Sequence, residues 1–272
     1  MPEVVEVQIQ TEGLAERLIG DSFKSIRFED RGYKIIRPVE EQDFIGLIKN
    51  QKINSIFRRG KFIVMELSNG LYLSTHLRMT GRFTIDVPES EVGHTRIVFT
   101  MESGKELRYS DVRIFGRMYL IENLEVLDKG LDAFSVTHTE IYKQLKKKQK
   151  THGNKTVKAF MNDQKVICGL GNVYCNELLF RVGIYPGKLV KNLSDEDLEK
   201  LAINTKNVLL WGYGYGGLSL RDYFHVDGSK GSTQLYLSVY QNDRCHRCTR
   251  KIHKSEEFDE RATYFCKHCQ QS

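Results

Sequence analysis

The sequence predicts an α+β chain of several domains: a helix-led β-rich part, then a helical part, then a small cysteine-rich module. Three observations predict it. Short β-rich runs separated by turn residues fill positions 22–121, helical patterns fill 139–210, and four of the six cysteines crowd into the last 28 of 272 residues. A chain of this length can bury a sizeable core without disulfides. Its 41 Lys+Arg against 35 Asp+Glu leave a net charge of +6, a mild excess that favours a polyanionic partner. An ordinary globular composition excludes a disordered tail, a collagen and a small disulfide scaffold. No apolar run reaches the roughly 18 residues of a membrane span, and the start MPEVVEVQIQ does not read as a signal peptide. A reducing, cytoplasmic compartment is expected.

Residues 3–19 read as a helix, with Val4, Val7, Leu14 and Leu18 on one face and Gly20 as a stop. SIRF, YKIIR, FIVMELS, LYLSTHL, RFTIDV, TRIVFTM, KELRYS and RMYLI read as strands of an antiparallel sandwich or barrel. Around 122–139 that pattern stops. TEIYKQLKKKQ, KTVKAFMND, GNVYCNELLFRVG and SDEDLEKLAINTKNVLLWG then read as helices, the last capped by Ser194 or Asp195. The Gly-rich stretch 213–233 reads as a mobile loop. In the final module Cys245-x2-Cys248 and Cys266-x2-Cys269 supply the four thiolates that a tetrahedral zinc ion takes from two knuckles. All four positions come from protein, so the metal is expected to fold the module and to do no chemistry. His246, His253 and His268 are expected to be bystanders.

Several residues could carry chemistry. Removal of Met1 before the small Pro2 would leave a secondary amine at the terminus. Such an amine titrates near neutrality and can attack an electrophilic sugar carbon to give an iminium ion. Glu3 stands beside it as an acid or base. The same start is also an ordinary helix opening, with proline at the first helical position and glutamate in the first turn. The basic turn Arg58-Arg59-Gly60-Lys61 suits a phosphate. Met79 in HLRMTG and Phe115 in DVRIFG are either core residues or wedges that enter a base stack, with Arg113 facing an orphaned base. The lysine run 143–158 leads to Gly169-Leu170-Gly171-Asn172, a glycine turn at a helix start that can bind an anion. Arg261 can grip a phosphate bidentately.

Each of these signals is weak alone. Their order along the chain is specific: Met-Pro-Glu, RRGK, HLRMTG, DVRIFG, GLGNVYCNELLFRVGIYP, GG-x-S-LRDY, then a four-cysteine finger containing RATYFC. Over essentially its whole length the sequence resembles the bacterial formamidopyrimidine-DNA glycosylase family. The resemblance implies a catalytic β-sandwich with its terminal helix over 1–122 and a linker over 123–138. It implies a helix–two-turn–helix domain over 139–240, carrying a lesion-capping loop at 213–233, and a zinc finger over 241–272. It implies a base-excision repair enzyme, a glycosylase and AP lyase, that removes oxidised purines such as 8-oxoguanine and formamidopyrimidines. Pro2 would be the nucleophile at C1′, Glu3 the acid/base, Glu6 a second acidic position and Lys61 the hairpin lysine, with β- and δ-elimination following. Met79, Arg113 and Phe115 would fill the vacated stack, and Lys158, Asn172 and Arg261 would hold phosphates. The implied cofactor is one structural zinc ion on Cys245, Cys248, Cys266 and Cys269. The implied partner is double-stranded DNA with damaged bases or abasic sites, bound by a monomer with no membrane association.

The sequence departs from the family pattern in places. Val4-Val5 replace a proline-containing pair, LDKGLDAF lacks the usual Gly-Pro, Leu218 replaces a small hydroxyl residue, and VYQND precedes the finger. These changes bear on substrate preference more than on reaction type. An oxidised-pyrimidine glycosylase of the same family, a non-catalytic damaged-DNA-binding homologue and a zinc-ribbon protein of another machinery are the competing readings. The retained HLRM and DVRIFG segments favour the purine branch.

Overall fold

In the computed structural model, which describes residues 2–127, 130–219 and 223–271, the chain divides into two compact units. The first comprises Met1–Asp128 and Tyr215–Gln234; the second comprises Lys129–Gly214 and Leu235–Ser272.

The first unit opens with α1 (Val4–Leu18), whose buried Val7, Leu14 and Leu18 join the core. Helix α1 starts one residue later than the sequence pattern suggests: Glu3 is its cap, so Pro2 lies just outside the helix and is not its first residue. A four-stranded sheet has the order β1 (Phe23–Phe28), β7 (Thr95–Met101), β8 (Glu106–Ser110), β6 (Arg82–Ile85). A five-stranded sheet has the order β2 (Ile36–Arg37), β9 (Arg117–Ile121), β5 (Tyr72–His76), β4 (Phe62–Leu67), β3 (Ile53–Arg59). Every pairing is antiparallel except β2 with β9. Phe23, Phe83, Phe99 and Leu107 of one sheet and Ile53, Ile63, Met65 and Leu73 of the other share a single buried core. The arrangement is therefore the sandwich, not the barrel. Short helices α2 (Glu41–Ile48) and α3 (Glu89–Val92) complete the unit. YKIIR does not make a full strand: Gly32–Lys34 form a 3-10 turn and only Ile36–Arg37 pair. Helix α2 escapes the sequence reading because only Phe44 and Ile48 of its eight residues are buried, too few to set a period.

Buried Gln10 ties α1 to the sheet. Its amide donates to the carbonyls of Phe83 (3.1 Å) and Phe224 (2.7 Å) and accepts from the Phe83 amide (2.9 Å). The second of these bonds reaches the glycine-rich segment, which the sequence assigns to the helical part. In the structure Tyr215–Gln234 falls in the first unit. Val226 lies in the sandwich core and its carbonyl accepts from the Ile85 amide at 2.7 Å. The loop is also fastened across itself, by Ser232 N–H to Tyr215 O (2.8 Å) and Thr233 N–H to Gly217 O (3.2 Å). Leu220, Arg221 and Asp222 of its LRDY segment, like Asp128 and Lys129 of the linker, lie outside the described residues.

The second unit holds α4 (His138–His152), α5 (Val157–Asn162), α6 (Asn172–Val182) and α7 (Asp195–Gly214), with a short parallel pair β10 (Leu131–Asp132) and β11 (Ile167–Cys168). Thr137 and Glu140 form a reciprocal cap at the head of α4. Ser194 is the residue that caps α7, its hydroxyl accepting from the Asp197 amide at 3.1 Å. Gly183 ends α6 in the left-handed conformation that glycine adopts without a Cβ penalty (φ +73°). The antiparallel hairpin of β12 (His253–Ser255) and β13 (Thr263–Phe265) closes the chain. Buried Glu177 of α6 accepts from the amides of Ser238, Val239 and Tyr240 at 2.8–3.0 Å and so anchors the approach to that hairpin.

Candidate active site and nucleic-acid interface

Two of the three predicted catalytic residues, Pro2 and Glu3, stand at the head of α1. Pro2 is buried and Glu3 is 2% exposed. The backbone here is held by Glu6, itself buried: one carboxylate oxygen accepts the Glu3 amide at 2.7 Å, and the other accepts the Leu218 amide at 2.9 Å. One carboxylate thus fastens both the terminal segment and the glycine-rich loop. Gly217 makes this approach possible. It sits at φ +74°, and a Cβ there would come within 3.0 Å of the Glu6 carboxylate. Tyr223 adds a hydroxyl bond to the Glu6 carbonyl at 2.8 Å; burial, and then the Glu6 charge, push its phenol well above the ordinary value, so it stays a donor. Sequence reasoning placed Glu6 on the helix but missed this double attachment, because its partner lies 212 residues away.

The Arg58–Lys61 turn joins β3 to β4, with Gly60 at φ +58°. Arg58 donates to Gln8 of α1 (2.7 Å) and to the Gly60 carbonyl (2.8 Å), so the hairpin is braced on the helix that follows Pro2. Lys61 is 8% exposed.

The three predicted stack-filling residues stand on two loops of the same unit. Met79 follows β5 and is 41% exposed; Phe115 precedes β9 and is 46% exposed. Neither is core. The Arg113 guanidinium lies 4.5 Å from the centre of the Phe115 ring, a stacked cation that holds both side chains together.

In the second unit the three predicted phosphate residues are neighbours, but not equals. Lys158 is fully buried and donates to Asn172 Oδ1 at 2.6 Å; Asn172 in turn donates to the Ala262 carbonyl at 3.0 Å. Arg261, next to Ala262, is the exposed member. Gly171 caps α6, directly before Asn172. The lysine run is partly neutralised, Lys146 pairing with Asp195 and Lys155 with Asp163 (2.9 Å).

The four finger thiols form one cluster, their sulfurs all within 4.8 Å of one another. Cys245 to Cys269 measures 3.8 Å and Cys248 to Cys266 measures 3.5 Å. A tetrahedron of thiolates about 2.3 Å from its centre has edges of roughly 3.8 Å, so the donor set fits a tetrahedral ion. Among the described residues no histidine joins the cluster: His246 packs on Phe180 and His253 on Phe265. Without an ion, burial and then hydrogen bonds with the neighbouring thiols push Cys269 up to about 12. A cation is what would let all four deprotonate together.

Known proteins place this architecture. Residues 1–118 match the formamidopyrimidine-DNA glycosylase N-terminal domain, and residues 130–223 match the H2TH domain of the same proteins. The chain is 33% identical to the formamidopyrimidine-DNA glycosylase of Exiguobacterium over 100% of both sequences, and 35% identical to that of Bacillus subtilis over 99% of both. Among solved structures it is similar to Lactococcus lactis FPG in complex with Fapy-dG containing DNA (a mutant; TM-score 0.86, 28% identity). It is equally similar to Lactococcus lactis Fpg with abasic-site DNA (0.86, 27%), each with full coverage of both chains. A helix-led sandwich, an H2TH domain and a four-thiol cluster in this order define a DNA-repair glycosylase. The chain belongs to the formamidopyrimidine-DNA glycosylase family.

Proposed function

We propose that this chain excises oxidised purines from duplex DNA through an N-terminal proline imine, and that it cuts the resulting abasic strand. As a family member it is a base-excision repair glycosylase with lyase activity. The observation that carries the finer reading is the head of α1: Pro2 and Glu3 stand together, buried, on backbone that Glu6 pins by a 2.7 Å bond. With Met1 removed, the Pro2 secondary amine attacks C1′ of the lesion nucleotide and the base leaves. Glu3 delivers a proton to the opening sugar and later accepts one. The iminium ion acidifies the neighbouring carbon, so elimination releases the phosphates on either side. Lys61, on the braced hairpin, neutralises charge beside the lesion.

Taking a base out of the stack costs a few kcal/mol, least for a damaged pair. Met79 and Phe115 repay part of that by refilling the stack, and Arg113 faces the orphaned base. Arg261 and Asn172 meet phosphates. Lys158, buried behind Asn172, orients the amide and adds positive charge to it. Four thiolates and sulfur spacings near the tetrahedral edge favour zinc, which would fold the finger and take no part in the reaction. The expected compartment is cytoplasmic.

Borohydride trapping on a duplex with one 8-oxoguanine opposite cytosine tests this, with undamaged duplex and Pro2→Gly as controls and mass spectrometry confirming loss of Met1. An adduct that needs the lesion and vanishes in the variant is expected. Trapping only on an oxidised pyrimidine would move the chain to the sister branch. No adduct on either lesion or on an abasic site would leave a binding protein.

A further inference from the structure

We propose that Asp111 is a positioning residue that locks the loop bearing Met79 and the loop bearing Arg113 and Phe115 into one preset wedge. This rests on the reading that those three residues refill the base stack. The Asp111 side chain is completely buried. One carboxylate oxygen accepts from the Thr80 hydroxyl, beside Met79, and from the Arg113 amide at 3.2 Å. The other accepts from the Gly116 amide, beside Phe115, at 2.8 Å. Thr80 closes the knot, because its hydroxyl oxygen also accepts the Arg113 amide at 3.2 Å. One carboxylate therefore joins loops that lie 31 residues apart.

The backbone explains why a lock is needed. Two of the three wedge residues follow a left-handed, non-glycine residue: Arg78 (φ +56°) before Met79 and Ile114 (φ +55°) before Phe115. That conformation is costly for a β-branched side chain and persists only where the surroundings over-determine it. The Asp111 bonds to Arg113 and Gly116 bracket Ile114 on both sides. Beneath both loops lies buried Tyr109. A Cβ on Gly81 or on Gly116 would overlap its hydroxyl, so neither loop can settle differently without moving the ring. The wedge is thus presented ready-made, and no loop-ordering cost falls on the insertion step.

Stopped-flow fluorescence of 2-aminopurine placed beside an 8-oxoguanine reports insertion, and single-turnover excision on the same duplex reports its consequence. Asp111→Asn keeps the size of the side chain but turns an N–H toward either the Gly116 amide or the Arg113 amide, so one of the two acceptors is lost. Insertion and duplex excision are expected to slow together by ten- to a hundredfold, the scale of a misplaced positioning group. Trapping on a single-stranded abasic oligonucleotide, which needs no wedge, should hold at the wild-type level. Thr80→Val should behave as a weaker copy, and Thr80→Ser should restore wild-type insertion. Thr80→Val alone decides the matter if Asp111→Asn does not fold. Normal insertion in these variants, while Phe115→Ala is slow, would overturn the lock and leave the stack-filling reading standing. If wild-type protein neither inserts nor excises, or if Phe115→Ala inserts normally, both fall.

Discussion

At Gly116 a single added methyl group has no room. Its Cβ would overlap the Tyr109 hydroxyl and come within 2.9 Å of the ring carbon that bears it. Gly116→Ala should cost about 1–3 kcal/mol, the usual range for an overpacked core, read as a shift in the denaturant midpoint. Adding Tyr109→Phe should recover part of that, and only part, because the ring carbon stays close. By itself Tyr109→Phe should cost nothing measurable. The Tyr109 hydroxyl is buried and has no hydrogen-bond partner among the described residues, so removing it also removes a desolvation penalty. A clear loss of stability in that variant would mean that the hydroxyl is satisfied in solution. Arg261 is exposed, so Arg261→Ala should weaken lesion-bearing and undamaged duplex alike and reduce the salt slope of binding by about 1.

Helix α7 gives the sharpest test among the elements. Ser194 caps it, and Asp197 returns the contact by accepting the Ser194 amide at 3.1 Å while pairing with Lys188 at 3.0 Å. Ser194→Ala should cost about 1 kcal/mol. Burial works to raise the Asp197 carboxyl, but the Lys188 and Ser194 hydrogen bonds outweigh it and hold the group below its ordinary value. A carboxyl depressed in the folded state contributes stability above its unfolded value, near pH 3.9, and loses it as pH falls through the folded one. The stability gap between wild type and Asp197→Asn should therefore be full at neutral pH and should close in acid below about pH 4. A gap that is flat across that window would exclude the ion pair as its source. Most of these elements were legible from pattern. Strand runs such as FIVMEL and TRIVFTM alternate or fill the core, and α4 and α7 carry their caps in plain view. YKIIR failed because β propensity says nothing about whether a neighbouring strand is available, and only Ile36–Arg37 find one beside β9.

For the whole molecule, the test is whether a metal on the cysteine cluster holds the last segment of the second unit. The core there is small, built from Phe180, Val239 and Ile252 around buried Cys245 and Cys266. Removing the metal with a strong chelator should expose residues 241–271 to proteolysis while the sandwich stays protected. Metal binding must displace thiol protons, among them that of Cys269, which burial and the neighbouring thiols hold on to more tightly than usual. Metal should therefore be retained toward high pH and released as pH falls, which a colorimetric chelator would follow. Loss of metal that leaves the proteolytic pattern unchanged would show that the hairpin folds by packing alone.

Chemistry and local geometry can be read from the chain alone. Pro2 beside Glu3, the basic Arg58–Lys61 turn, the paired CxxC knuckles and the ordered family motifs are properties of adjacent residues, and adjacency is what a sequence records. Tertiary structure alone decided which distant groups meet and which surfaces survive. It buried Lys158 behind Asn172, returned Tyr215–Gln234 to the sandwich and put the Leu218 amide on Glu6. It also placed the Asp111 carboxylate between two loops that the chain keeps 31 residues apart. The physical reason is that burial and long-range hydrogen bonds depend on how two sheets share one core. No period of 2 or 3.6 residues carries that information.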